Sequence, residues 1–177
     1  MLQKGENLLV LVSCYDCHQI GLEALYILGE FGVQGDSIIE RAQTLKTDNW
    51  CLQTLPYYSG NMIYQKKLGK FASCEKVFIK IPDWQGSAIG LKVNNSKEID
   101  CTFSRKELEI TEFLSNNSDN ELQIIVYGHR RNAMGPFYLK ESSPTWTDSL
   151  AIRTVEQKER NLVVCGLLSP VELSIKQ

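Results

Sequence analysis

The chain has 177 residues, 43% of them hydrophobic, with 19 basic against 21 acidic side chains, enough to bury a core within one domain spanning residues 1–177. A charge balance this close to neutral argues against a surface built wholly for a polyanion, so nucleic acid is not the expected partner. No apolar run approaches the roughly 18 residues of a membrane-spanning helix, which leaves peripheral contact as the one membrane role still open.

Residues 1–6 carry one Lys, one Glu and a Gly, and the apolar run after them is too short for the core of a secretory signal. The cysteines, 6 in all, are too few and too irregularly spaced for a secreted disulfide scaffold. They read as reduced thiols in a cytoplasmic protein.

Residues 7–13, apolar without a break from Leu8 to Val12, have a strand's length and the pattern of a central strand covered on both faces. Next comes Cys14-Tyr15-Asp16-Cys17-His18. Its C-x-x-C-H spacing is that of covalent haem attachment, but haem needs an export route and a second axial ligand, and neither is evident. Cys14, Cys17 and His18 could instead give zinc three of its four donors, the fourth coming from a distant cysteine. A thiol pair between a strand and a helix also suits redox work. No cofactor is expected, with zinc the one metal these residues would suit.

Residues 22–31 are apolar nearly all round, as in a buried helix. Asp36 or Ser37 then caps a second helix, with Ile38, Ala42 and Leu45 on its inner face. Residues 47–64 mix strand and loop signals around Trp50, Tyr57, Tyr58 and Gly60; an aromatic cluster of this kind is either core or contact surface. A lobe boundary is placed near residues 65–74, where Lys66, Lys67, Gly69 and Lys70 equally suit an exposed turn.

Period-two alternation begins at residues 75–81. Strand signals follow at 88–93, 99–103, 122–127, 136–140, 150–157 and 162–168, a density typical of a sandwich or barrel. Ser104 to Glu107 form a capping box for one inserted helix. The expected class is therefore α+β: a buried N-terminal strand and two helices, then a β-rich sandwich- or barrel-like sheet with one inserted helix.

His129, Arg130 and Arg131 follow directly on the most apolar strand signal. Charges there must leave the core within a turn, so residues 128–132 are expected to be an exposed loop with two arginines free to bind. No phosphate-cradling glycine loop and no G-x-S-x-G motif occurs. Carboxylates and lysines that would suit a nuclease, such as Asp83, Glu156 and Lys158, lie far apart in sequence.

The expectation is a non-enzymatic protein that binds a protein partner or assembles with itself, in the manner of small adaptors, immunity proteins or viral assembly and accessory proteins. Its contact residues would be Trp50, Tyr57, Tyr58, His129, Arg130 and Arg131, with an exposed aromatic also near Trp146. The alternative is a thiol-redox or metal protein using Cys14, Cys17 and His18.

Overall fold

Alternating apolar side chains build most of what the chain folds into. A computed structural model describes residues 3, 5–12, 14, 16–18, 25–72, 75–103, 107–135 and 161–176. The strand signals at 136–140 and 150–157, residues 22–24 of the first expected helix, residues 104–106 of the capping box, and Trp146 lie outside the described residues.

In chain order the strands are β1 (Gly32–Gln34), β2 (Ser37–Ile39), β3 (Asn61–Leu68), β4 (Lys76–Lys80), β5 (Trp84–Gln85), β6 (Ala88–Val93), β7 (Ile99–Asp100), β8 (Leu108–Glu109) and β9 (Asn120–Tyr127). A short helix α1 (Arg131–Met134) precedes β10 (Gly166–Leu167) and β11 (Glu172–Lys176). The larger sheet has the order β3-β9-β6-β7 and the second β11-β4-β8, while β10-β5 and β1-β2 form two-stranded ribbons. Every pairing described is antiparallel.

The core follows from the period of two. Val77 and Ile79 on β4, Ile89, Leu91 and Val93 on β6, and Leu122, Ile124 and Val126 on β9 are all buried in a single cluster. Alternate side chains leave a strand on opposite faces, so these sets mark the inner faces of the two main sheets. β9 sits between β3 and β6, and Ile125 on its outer face is also buried. The near-continuous apolar run of residues 122–126 thus belongs to a central strand.

The α+β class does not hold: the chain is a β-rich fold of several sheets, and α1 is the single α-helix among the described residues. The expected N-terminal strand is the first correction. Residues 8–12 are exposed, with Leu8 at 90% and Val12 at 93%, and pair with no strand among the described residues. The described part of the first helix, residues 25–31, is non-helical, and Leu25, Tyr26, Ile27 and Leu28 in it are exposed. A helix apolar on every side depends on being packed, and Gly29 adds the backbone entropy of glycine to the cost of nucleating it.

The second helix is replaced by the β1-β2 ribbon, in which Gln34 pairs with Ser37. The two residues between them are Gly35, at φ +59°, and Asp36. Gly-Asp between two strands is a tight-turn signal, and it prevails over the reading of Asp36 as a helix cap. The inserted helix gives way to β8 and a 3-10 turn, Thr111–Phe113. There the Ile110 N–H donates to the Val77 carbonyl at 2.9 Å, and Val77 N–H donates to Thr111 Oγ1 at 2.9 Å. Pairing with β4 satisfies this backbone and buries Ile110 completely, which a surface helix would not.

Candidate functional site

Among the described residues β3 is an edge strand: its eight residues pair with β9 on one side only. Beside it runs a cavity of about 850 Å³, lined by Asn61, Met62, Ile63, Tyr64, Gln65 and Lys66 in succession. A space touching one face of a strand meets every second residue, because side chains alternate. Six consecutive lining residues therefore place part of the cavity along the strand's edge, where the backbone groups turned away from β9 are presented, while Leu122 and Ile124 show that it also reaches beneath the inner face of the sheet.

Arg41, Ala42, Gln43, Thr44 and Leu45 form another part of its wall, and Leu122, Ile124, Leu167, Val171 and Leu173 are among its apolar lining residues. Gln53 holds this wall in place. Its Oε1 accepts from Lys46 N–H at 2.7 Å and its Nε2 donates to the Lys46 carbonyl at 3.1 Å. The β1-β2 ribbon is tied down in turn by Val33 N–H donating to the Thr54 carbonyl at 2.8 Å.

Two tyrosines shape the slot. Tyr58 Oη donates to the Asn61 carbonyl at 2.8 Å, and its ring meets Trp50 edge-on with centroids 5.7 Å apart. Tyr64 Oη accepts from Leu167 N–H at 3.2 Å, and burial pushes its pKa up, so the phenol stays protonated. Arg41 and Lys66 give the lining two positive charges against Glu30, with Lys67 exposed beside them.

The expected contact residues are not brought together. Trp50 is wholly buried, its backbone N–H donating to the Cys165 carbonyl at 2.9 Å, so it is core that supports Tyr58. Tyr57 is half-buried, and Tyr58 alone of the six reaches the slot.

Residues 128–132 are a correction to the expected exposed loop, for only Arg130 in it is exposed and Asn132 is buried. Asn132 Oδ1 accepts from Val163 N–H at 2.8 Å, while its Nδ2 donates to the Val163 carbonyl at 2.7 Å and to Cys51 Sγ at 3.2 Å. Those bonds pull α1 inward. The ring nitrogens of His129 and all three guanidinium nitrogens of Arg131 are shut off from solvent, with no hydrogen-bond partner among the described residues. Burial also lowers the Arg131 pKa.

A buried guanidinium without a partner is costly, since arginine does not shed its charge. Arg131→Met keeps the volume and removes the charge. It should raise the unfolding free energy by about 1 to 3 kcal/mol, read from the urea midpoint, whereas Arg130→Ala should change it by no more than about 0.5 kcal/mol. A destabilised Arg131→Met would show that the guanidinium is satisfied in the folded chain.

At the N-terminal cysteines, Asp16, Cys17 and His18 offer donor atoms within 4.8 Å of one another, all exposed. His18 Nδ1 lies 2.9 Å from Asp16 Oδ1 and 3.3 Å from Cys17 Sγ, and the His18 N–H holds the Asp16 pKa below its ordinary value. Cys14 is not part of this group. Three donors on consecutive residues are one short of the closed tetrahedral set of a structural zinc site. Cys165 is buried among apolar groups, which with Cys51 nearby pushes its thiol up to about 12; burial likewise raises Cys51 and Cys101. Those three thiols are protonated and inert at neutral pH.

No known protein family matches the sequence, and no curated protein matches it. Two solved structures show a distant likeness. One is a calcium-binding mutant of Bacteroides uniformis beta-glucuronidase 2, with a TM-score of 0.43 and 17% identity over 78% of this chain and 14% of that one. The other is the FMN-binding beta-glucuronidase of Facaelibacterium prausnitzii L2-6, with a TM-score of 0.44 and 19% identity over 77% of this chain and 19% of that one. The chain spans less than a fifth of either enzyme's length, and a likeness at these scores carries no argument about function.

The sequence reading missed the slot because Lys66 and Lys67 disguise β3. Met62, Tyr64 and Leu68 do alternate on its inner face, and that period of two was the available signal.

Proposed function

We propose that the chain is a binding protein that takes an extended polypeptide segment along the free edge of β3. The observation that carries this reading is the run of consecutive β3 residues along the cleft, toward which the strand turns backbone donors and acceptors that pair with no other strand among the described residues. Strand addition uses such groups for affinity and the alternate side-chain positions for selection. Here Met62 and Tyr64 would select apolar residues on the inner side, while Arg41 and Lys66 favour an acidic neighbour.

The binding is non-enzymatic, and a reducing, cytoplasmic setting is favoured by the free thiols of Cys17, Cys51, Cys101 and Cys165. No helix among the described residues is long and apolar enough to cross a membrane, which suits a partner met outside the bilayer.

Peptides selected from a random-sequence library against the protein supply the test. Methylating alternate backbone nitrogens of a selected peptide should weaken its binding about tenfold or more in one of the two alternating sets, and little in the other, since only one set faces β3. Equal tolerance of both sets would mean that side chains alone are recognised. Failure to select any peptide competed by an Ile63→Asp-sensitive binder would likewise count against the slot.

A further inference from the structure

We infer that the segment occupying the β3 slot is residues 8–12 of a second copy of the same chain; the inference rests on the reading of the slot as a strand-binding edge. In a single copy, Leu8, Leu9, Val10, Leu11 and Val12 stand between 49% and 93% exposed. None of their backbone groups is paired among the described residues. Five consecutive apolar side chains left in water are an unmet burial requirement, and their composition is that of a strand. Among the described residues the same molecule holds an edge strand with an open cleft of mixed polar and apolar lining beside it. Donor and acceptor thus occur on one chain, and the copy that carries the donor does not seat it.

Length and charge both suit an antiparallel arrangement. Residues 6–12 extended span about 23 Å at 3.3 Å per residue, which suits the eight residues of β3. Run antiparallel, a register placing Leu9 opposite Tyr64 also places Leu11 opposite Met62, Val10 opposite Ile63 and Glu6 opposite Lys67. Leu9 and Leu11 then enter the apolar side of the slot. Val10 covers Ile63, whose side chain is 54% exposed on the outer face, and Glu6 meets the exposed Lys67. A shift by one residue would turn Leu9 and Leu11 outward and bring Leu8 and Val10 inward, with Glu6 then opposite Lys66 in place of Lys67. Reciprocal exchange between two copies closes a symmetric dimer, whereas one-way exchange builds a chain of copies.

Sedimentation of the whole protein over a range of concentrations tests this, beside Leu9→Asp with Leu11→Asp in one variant. The wild type should sediment as a dimer or larger, and the variant as a monomer with an unchanged near-ultraviolet dichroism spectrum. A synthetic peptide of residues 5–13 should bind the monomeric variant, and about tenfold or more weakly once Ile63→Asp is added. A wild type that stays monomeric at its highest soluble concentration overturns the inference. It does so whether the run packs within its own chain, seen as a lower thermal midpoint of the monomeric variant, or inserts into phosphatidylserine vesicles, seen by co-sedimentation. If library-selected peptides still bind the slot of that monomer, only the self-exchange is lost; if none binds, the strand-binding reading falls with it.

Discussion

Asn120→Ala should lower the unfolding free energy by about 2 to 4 kcal/mol, a large loss for one polar side chain. Asn120 is 2% exposed, and every polar atom of its amide is in use. Oδ1 accepts from Ser115 N–H at 2.7 Å and from Asn94 Nδ2 at 2.8 Å. Nδ2 donates to the carbonyls of Ser115 at 3.0 Å, Gly69 at 3.2 Å and Ser118 at 3.3 Å. One side chain therefore joins the exit of β3, the turn at Asn94, the loop at 115–118 and the start of β9. Alanine would leave these groups facing a void too small to restore their hydrogen bonds. Asn120→Asp provides the control: it keeps the acceptor but turns a carboxylate toward three carbonyl oxygens, so it should be no better than alanine. Chemical denaturation measures both, and a loss under about 0.5 kcal/mol for alanine would contradict this account of the junction.

Gly166→Ala should cost about 2 to 4 kcal/mol and weaken the slot as well. Gly166 sits at φ +138°, a conformation L-residues rarely adopt, and a Cβ there would come within 2.6 Å of the Asp48 carbonyl oxygen and 3.3 Å of Tyr64 Oη. The backbone oxygen has little room to retreat, because the next residues, Asn49 and Trp50, are bonded to Cys165: Asn49 Oδ1 accepts from its N–H at 3.2 Å, and Trp50 N–H donates to its carbonyl at 2.9 Å. Any relief must move β10 away from residues 48–50, and with it the Leu167 N–H that Tyr64 Oη accepts. Thermal unfolding and peptide affinity should fall together. A variant of unchanged midpoint would show that the close approach at Asp48 is absent.

The parts of the fold legible in the sequence were those where burial and alternation coincide. Residues 75–81, 88–93 and 122–127 read as strands because one face of each is apolar, and β4, β6 and β9 stand there. β3 and β11 were missed for the opposite reason. As edge strands they carry lysines and a mostly exposed surface, and charge on an edge is what keeps it from pairing indiscriminately.

Apolar content misled where no partner lies among the described residues. Residues 8–12 and 25–31 have the composition of buried elements, yet composition does not say which surface buries them. The pair Gly35-Asp36 marked a hairpin, but the apolar Ile38, Ala42 and Leu45 suggested a helical face instead, and the tight turn prevailed. In the candidate site, Tyr58 was legible as an aromatic near a turn. Its partners Gln53, Tyr64 and the β3 edge were not, because they meet only through pairings such as that of β3 with β9, residues far apart in sequence.

The most direct measurement of the central claim is amide hydrogen exchange of β3, resolved residue by residue, with and without a bound extended peptide. Within residues 62–67, the amides turned toward β9 are already protected by that pairing, while the alternate amides face the slot. Strand addition predicts that the slot-facing set slows by about tenfold or more on binding and the set facing β9 changes little. Slowing of both sets alike would mean general stabilisation, and no slowing of either would mean that the peptide binds elsewhere; either result contradicts β3 as the binding edge.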